Sequence, residues 1–389
     1  MIYLDHNATS PLRASARRAM EAALGAYGNA SSVHAAGRAA RARIEQAREQ
    51  VARLAGAAAA EVIFVSGGTE ANAQALSGTV AGAAQTGDPV TRLLVSAIEH
   101  ESVRANAAAL TQRVPGLKLE TIPVTRDGIV DLGALSQSLA QGKGRVLVSV
   151  MAANNETGVI QDVPAVARLV KTEAGRNGLL HVDAIQAAGR TALSFAASGA
   201  DTMVLSAHKL GGPQGAGALI AREGAPLVPL IAGGGQEMGR RSGTENVAAI
   251  AGFGAAAEDA ADLTNATVRI RALRDRFEAE LGQISPEVAI FGASLERLPN
   301  TSNFAVPGLA AETALIGLDL DGVAVSSGSA CSSGTVKPSH VLAAMGVPDA
   351  LARGGLRVSF GWSSRDEDVD AVIASLRRLL ARRAGLRAA

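Results

Sequence analysis

The sequence predicts an α/β protein with a mainly parallel sheet, and three features carry that prediction. Short apolar runs rich in β-formers recur between residues 61 and 220, each stopping abruptly at polar residues. Helical segments such as 101–111 and 164–174 separate them, which is the signature of successive β-α units. The 43 glycines fall in short punctuating clusters rather than one tract, as many tight strand-to-helix turns require.

Taken in order, residues 1–10 read as a polar turn around Asp5-His6-Asn7-Ala8-Thr9 rather than as an element. Leu12 to Tyr27 has helical spacing closed by Gly28-Asn29, and Ala39 to Leu54 suits a long amphipathic helix. Glu61 to Val65 is the first strand. The turn Ser66-Gly67-Gly68-Thr69-Glu70-Ala71-Asn72 follows and opens an Ala-rich helix whose free N–H groups suit a phosphate at Gly68 and Thr69; an ordinary turn with a capping Thr fits as well. The same design recurs when Arg92–Ser96 leads to Glu99-His100, Arg145–Met151 to Asn154-Asn155-Glu156-Thr157-Gly158, and Leu179–Val182 to Asp183-Ala184-Ile185-Gln186. The fifth run, Thr202–Leu205, stops at Ser206, His208 and Lys209 before a Gly-Gly-Pro turn. Ligands of open α/β sheets bind beyond the carboxyl ends of strands, so Thr69, His100, Asn155, Asp183, Gln186 and Lys209 are expected along one sheet edge.

Ala216 to Ile220 reads as a final strand, and 233–246 as a polar Gly-rich loop in which two arginines beside Thr244 suit an anion site or a plain surface loop. From Val247 an Ala-rich helical region runs through Leu281 into a second, mixed domain with strands near 301–306 and 356–360 and helices near 311–318 and 366–382. The expected division is a large domain over 12–255 and a small α+β domain of 1–11 with 256–389.

Composition narrows the function. With 389 residues, 48% of them hydrophobic, the chain can bury a large core. The formal charge of +1, from 37 basic and 36 acidic residues, favours neither nucleic acid nor an anionic membrane. The first residues carry no basic and apolar leader, and no apolar run approaches the ~20 residues of a membrane span, so a cytoplasmic location is expected. Cys331 is the single cysteine, which excludes an internal disulfide. It lies in Ser326-Ser327-Gly328-Ser329-Ala330-Cys331-Ser332-Ser333-Gly334, and Ser and Gly on both sides describe a mobile, solvated loop over about 325–337 rather than a buried small hydrophobe. No metal cluster is expected beyond Cys331 as a transient iron–sulfur ligand.

A lysine Schiff base to pyridoxal phosphate needs an amine, a carboxylate that keeps the ring nitrogen protonated, and donors for the phosphate. Lys209, Asp183 and the group Gly68, Thr69, Ser206, His208 match those needs. His100 suits proton transfer against the ring, Gln186 and Asn155 suit its phenolic oxygen, and Arg357 has the planar fork that grips an α-carboxylate.

These motifs, together with Arg241-Ser242-Gly243-Thr244, resemble the cysteine desulfurases of the NifS/IscS type, in the class V aminotransferase superfamily of fold-type I pyridoxal-phosphate enzymes. The resemblance runs from Tyr3 to about Arg377. It implies Lys209 as the Schiff-base lysine, Cys331 as the persulfide-forming thiol, His100 as the stacking histidine, Asp183 as the ring-nitrogen carboxylate, and Arg357 with Asn7 and Asn155 as substrate contacts. It also implies a homodimer in which Thr244 reaches the phosphate of the other subunit, L-cysteine as substrate with L-alanine as product, and a sulfur acceptor from iron–sulfur assembly or transfer-RNA thiolation. Ala30 replaces a proline common in the family. The end at Arg387-Ala388-Ala389 lacks the longer tail with which some members dock a scaffold. Alternatives are another class V enzyme, a transaminase or a selenocysteine or cysteine lyase, which needs no Cys331, and a non-catalytic member that binds partners only.

Overall fold

The apolar runs fold as strands buried on both faces, which is why they read as continuous hydrophobic stretches rather than alternating ones. The computed structural model describes residues 1–327 and 339–388. In chain order its first part comprises β1 (Ile2–Tyr3), α1 (Ala14–Leu24), α2 (Ala35–Ala55), β2 (Val62–Val65), α3 (Gly68–Gln85), β3 (Val90–Ser96), α4 (Glu101–Arg113), β4 (Lys118–Ile122) and α5 (Leu132–Gln141). Then come β5 (Arg145–Met151), α6 (Val163–Leu169), β6 (Gly178–Asp183), α7 (Phe195–Ser198), β7 (Thr202–Ser206), β8 (Gly217–Ala221) and α8 (Val247–Ala261). The remainder is α9 (Thr264–Ile284), β9 (Ala289–Ile290), β10 (Thr301–Ala305), α10 (Ala311–Leu320), β11 (Val323–Ala324), α11 (His340–Ala344), α12 (Asp349–Ala352), β12 (Leu356–Ser359) and α13 (Asp366–Ala388).

The seven-stranded sheet has the order β2-β8-β7-β6-β5-β3-β4, and only β8 runs against the others. Alternation along each strand sends successive side chains to opposite faces. Ile63 and Val65 of β2 thus meet Ala71 and Ala75 of α3, while Val62 and Phe64 join Ile44 and Val51 of α2 and Phe253 of α8 on the other side. Helices cover both faces, so the polar strand ends are left open only at the sheet's edge.

A second core gathers Phe277 and Leu281 of α9, Phe304, Val358, Phe360 and the Val369–Leu376 face of α13, together with Leu4 from the start of the chain. Phe277 meets the rings of Phe304 and Phe360 edge-on at 5.5 and 6.1 Å. Here β10 lies between β12 and β9 in an antiparallel sheet.

Three local expectations change. Residues 2–3, read as turn, form β1, which pairs in parallel with β11; a two-residue strand whose partner lies at 323–324 leaves no local pattern to read. The edge strand β4 is half-exposed and too polar to stand out. The long helix expected from Val247 breaks at Asp262-Leu263 into α8 and α9, and α8 opens on Asn246, whose side chain accepts from the Ala249 N–H. Among the described residues no helix is long and apolar enough to cross a membrane.

The loop carrying Thr244 is anchored by a buried ion pair. Arg48 of α2 and Glu237, each 2% exposed, meet bidentately at 2.6 and 2.8 Å, and Glu237 also accepts from the Phe64 N–H of β2 at 2.9 Å. Holding this contact places Glu237 and Met238 at φ 49° and 57°, the left-handed region that side chains disfavour. Glu237→Gln leaves Arg48 with only one carboxylate, the half-exposed Glu45 at 2.9 Å, and is expected to lower unfolding stability by about 3 kcal/mol in urea titrations, and Arg48→Met with Glu237→Gln by less than either alone.

Candidate active site

β7 ends at Ser206, and one turn of 3-10 helix over Ala207–Lys209 delivers the lysine to the sheet edge before Gly211, at φ 84°, reverses the chain. The Lys209 Nζ donates to the carbonyls of Asn7 and Ala8 at 2.6 and 2.8 Å. Burial pushes this amine down to about 7, Arg357 and Arg190 push it the same way, and Asp5 and Asp183 oppose them.

Around it lies a cavity of about 270 Å³. Its lining includes Gly68, Thr69, His100, Asn155, Asp183 and Gln186 together with Ser206, His208 and Lys209, so the strand ends expected along one edge do converge. Ser102, Met151, Ala153 and Ile185 complete it.

Asp183 closes β6. Its Oδ2 accepts from Asn72 Nδ2 at 2.8 Å and its Oδ1 from the Ile185 N–H at 3.0 Å. Asn72 Nδ2 donates also to Ser102 Oγ, so Asn72 Oδ1 is the acceptor that faces His181 Nε2 at 3.0 Å, and His181 Nδ1 takes the Thr202 hydroxyl at 2.9 Å. Burial pushes His181 down to about 3, which keeps the ring neutral in this relay. His100 caps α4: its Nδ1 accepts from the Ser102 N–H at 3.1 Å, leaving Nε2 as the proton-bearing nitrogen of the neutral ring. Burial lowers His100, Asp183 opposes, and Lys209 adds to the lowering.

At the other end, Gly68 and Thr69 begin α3, where backbone N–H groups lack helical partners. A Cβ on Gly68 would lie 2.4 Å from Ile185 Cδ1, so a larger residue fits there only if the end of that side chain turns aside. Ser206 Oγ is buried with no partner among the described residues, and His208 Nδ1 lies 3.2 Å from Thr9 Oγ1. A more open cavity of about 500 Å³ shares Gly68, Thr69, Ser206 and His208.

Not every expected residue lines the cavity. Arg357 Nη1 donates to the Asn155 carbonyl and Nη2 to Asp5 Oδ1, while its Nε has no partner among the described residues. The Asn7 side chain is spent on Asn155 O, Thr301 and Asn300, and its carbonyl is the group that faces Lys209 and Gln186. Thr244 is exposed and outside its own chain's cavity. Cys331 lies outside the described residues. Sequence reasoning missed Asn72, although its place three residues after Thr69 puts it on the same face of α3.

The aminotransferase class-V family model matches residues 2–372. The chain belongs to that family. Within it, the chain is 43% identical to an IscS-like cysteine desulfurase of Mycobacterium tuberculosis, covering 100% of this chain and 99% of the relative. A solved NifS-like protein from Rickettsia africae superposes with a TM-score of 0.87 at 34% identity, covering 98% and 99% of the two chains. A protein named SspA, solved in complex with cysteine, superposes with a TM-score of 0.80 at 27% identity over 93% of this chain and 99% of its own. This member of the class-V family is therefore a fold-type I enzyme of the cysteine desulfurase group and depends on pyridoxal phosphate. The residues fit that cofactor: a partnerless hydroxyl and open helix N–H groups await an anion at one end, and a carboxylate awaits a cationic ring nitrogen at the other.

His181 gives this site a measurable acid limit. Its pKa is lower folded than unfolded, so the unfolded chain binds the extra proton, and the stability present above about 6.5 is lost as pH falls toward 3. Urea midpoints measured between pH 6.5 and 4 should fall more steeply for the wild type than for His181→Gln, by up to about 1.4 kcal/mol per pH unit.

Proposed function

We propose that Lys209 binds the cofactor and moves the substrate's Cα proton, and that Cys331 receives the sulfur of L-cysteine as a persulfide. The observation that carries this reading is the desolvated Lys209 amine, held near neutrality in one cavity with Asp183, His100 and the start of α3. Pyridoxal phosphate, when bound, supplies an electron sink for the bonds at the substrate's Cα. Gly68, Thr69, Ser206 and His208 would hold its phosphate, Asp183 its ring nitrogen, Gln186 and Asn155 its phenolic oxygen, and His100 its ring face. An amine near neutrality is present as free base at working pH and so can take a proton without first losing one.

In this reading Arg357, whose Nη1 reaches the Asn155 carbonyl, binds the substrate carboxylate, with Asn7 bracing that carbonyl. The Cys331 thiolate attacks the substrate's sulfur, forming a sulfur–sulfur bond as the Cβ–sulfur bond breaks. L-cysteine and the thiol become L-alanine and the enzyme persulfide, and atoms and electrons balance without an outside oxidant. SspA's complex with cysteine supports this substrate.

The reading extends to a cytoplasmic homodimer with a large domain over 12–255 and a small one over 1–11 and 256–389. Exposed Leu230, Ile231 and Met238 near Thr244, and the open cavity at Gly68 and Thr69, support a second subunit placing its Thr244 toward the phosphate. An acceptor protein of iron–sulfur assembly or transfer-RNA thiolation would then take the sulfur.

Two variants test the reading. Lys209→Ala is expected to develop no visible absorbance band with pyridoxal phosphate. Cys331→Ser should keep the band while alanine formation from cysteine falls to background. A Cys331→Ser variant that still makes alanine from cysteine would overturn the role of the thiol and favour a lyase.

A further inference from the structure

The Arg190 side chain is half-buried, and no carboxylate among the described residues pairs with its guanidinium. Its Nη1 donates to the carbonyl of Gln186 at 3.1 Å and to the side-chain Oε1 of the same residue. Its Nη2 reaches the carbonyls of His6 at 3.2 Å and Lys209 at 3.4 Å. Gln186 Nε2, oriented by that contact, donates to the Asn7 carbonyl at 3.0 Å, the same oxygen that takes the Lys209 amine at 2.6 Å. Every bond Arg190 makes therefore ends on a group within one residue of the site or in it.

We infer that Arg190 is a positioning residue for this reaction, a half-buried cation that clips the Gln186 side chain and the Lys209 backbone to the His6–Asn7 turn. The inference rests on the reading of Lys209 as the cofactor-binding amine. A planar fork spans acceptors on three chain segments where an ammonium, a point charge, cannot. A half-buried cation with no carboxylate partner still loses hydration, and its position offers a reason to keep it.

The second effect is electrostatic. The Lys209 amine is faced by Arg357 and Arg190, which disfavour its proton, and by Asp5 and Asp183, which favour it; His100 and His208 stand beside it, both with lowered pKa. Around Arg190 itself stand His6, held neutral at about 3, and a small cavity also lined by Arg13, Asp259 and Asp262. Asp259 is taken by Ser15 and Arg13.

The test reads Lys209 in cofactor-free protein, by trace acetylation with acetic anhydride across pH and mass spectrometry of the Lys209 peptide. The wild-type amine should titrate near 7. In Arg190→Met, which removes the charge, the midpoint should rise, because one of the two cations that disfavour the Lys209 proton is gone. Arg190→Lys should keep a low midpoint while kcat falls by roughly ten- to a hundredfold at unchanged KM, because the clip loses its fork. A folded Arg190→Met with the wild-type midpoint, whatever its melting temperature, overturns the proposal; so does a wild-type Lys209 that titrates like an exposed lysine, a result that needs no variant to fold. Loading the wild type separates the two readings: no visible band means that Lys209 is not the cofactor amine, whereas a band with an unmoved Arg190→Met midpoint sinks only the Arg190 inference.

Discussion

The half-buried Lys209 ammonium loses hydration that two carbonyl partners replace only in part, and two nearby arginines raise that cost further. Much of the surrounding architecture answers to this constraint. The parallel strands bring the backbone to one edge, the helices on both faces keep water away, and Asp5 and Asp183 offset enough of the positive field for the amine to remain titratable near neutrality. Without the desolvation, the lysine would be fully protonated at working pH and of little use as a base.

The residues of the site are held by elements from distant parts of the chain. Asp183 is fixed by a relay through Asn72 to His181 and Thr202, every member of which is buried or sits on a strand or the start of a helix. Arg357 lies on β12, and its guanidinium bridges Asp5 and the Asn155 carbonyl, while Thr301, Asn300 and Ser359 hold Asn7, so the second core reaches the site through both. The buried Arg48–Glu237 pair fixes one end of the loop that ends at Thr244, while Thr244 itself faces outward.

Much of this was legible in the sequence because the signal is local. Apolar runs that stop at Thr69, His100, Asn155, Asp183 and Lys209 announce both the strand and its functional end, since the strand's burial and the polar stop are read within a few residues. Contacts between distant segments left no such mark. Arg190 follows Gln186 in an unremarkable helical turn, and nothing nearby tells that its bonds go to His6 and Lys209. The β1–β11 pairing and the carbonyl role of Asn7 were hidden for the same reason, because a backbone oxygen carries no residue-type signal.

The turn at Asn7 has a consequence for assembly. Its N–H is held by the Ser359 hydroxyl, 352 positions along the chain, and β1 just before it pairs with residues 323–324. A segment translated early thus waits for partners translated near the end, and the carbonyl cradle for Lys209 cannot close until they emerge.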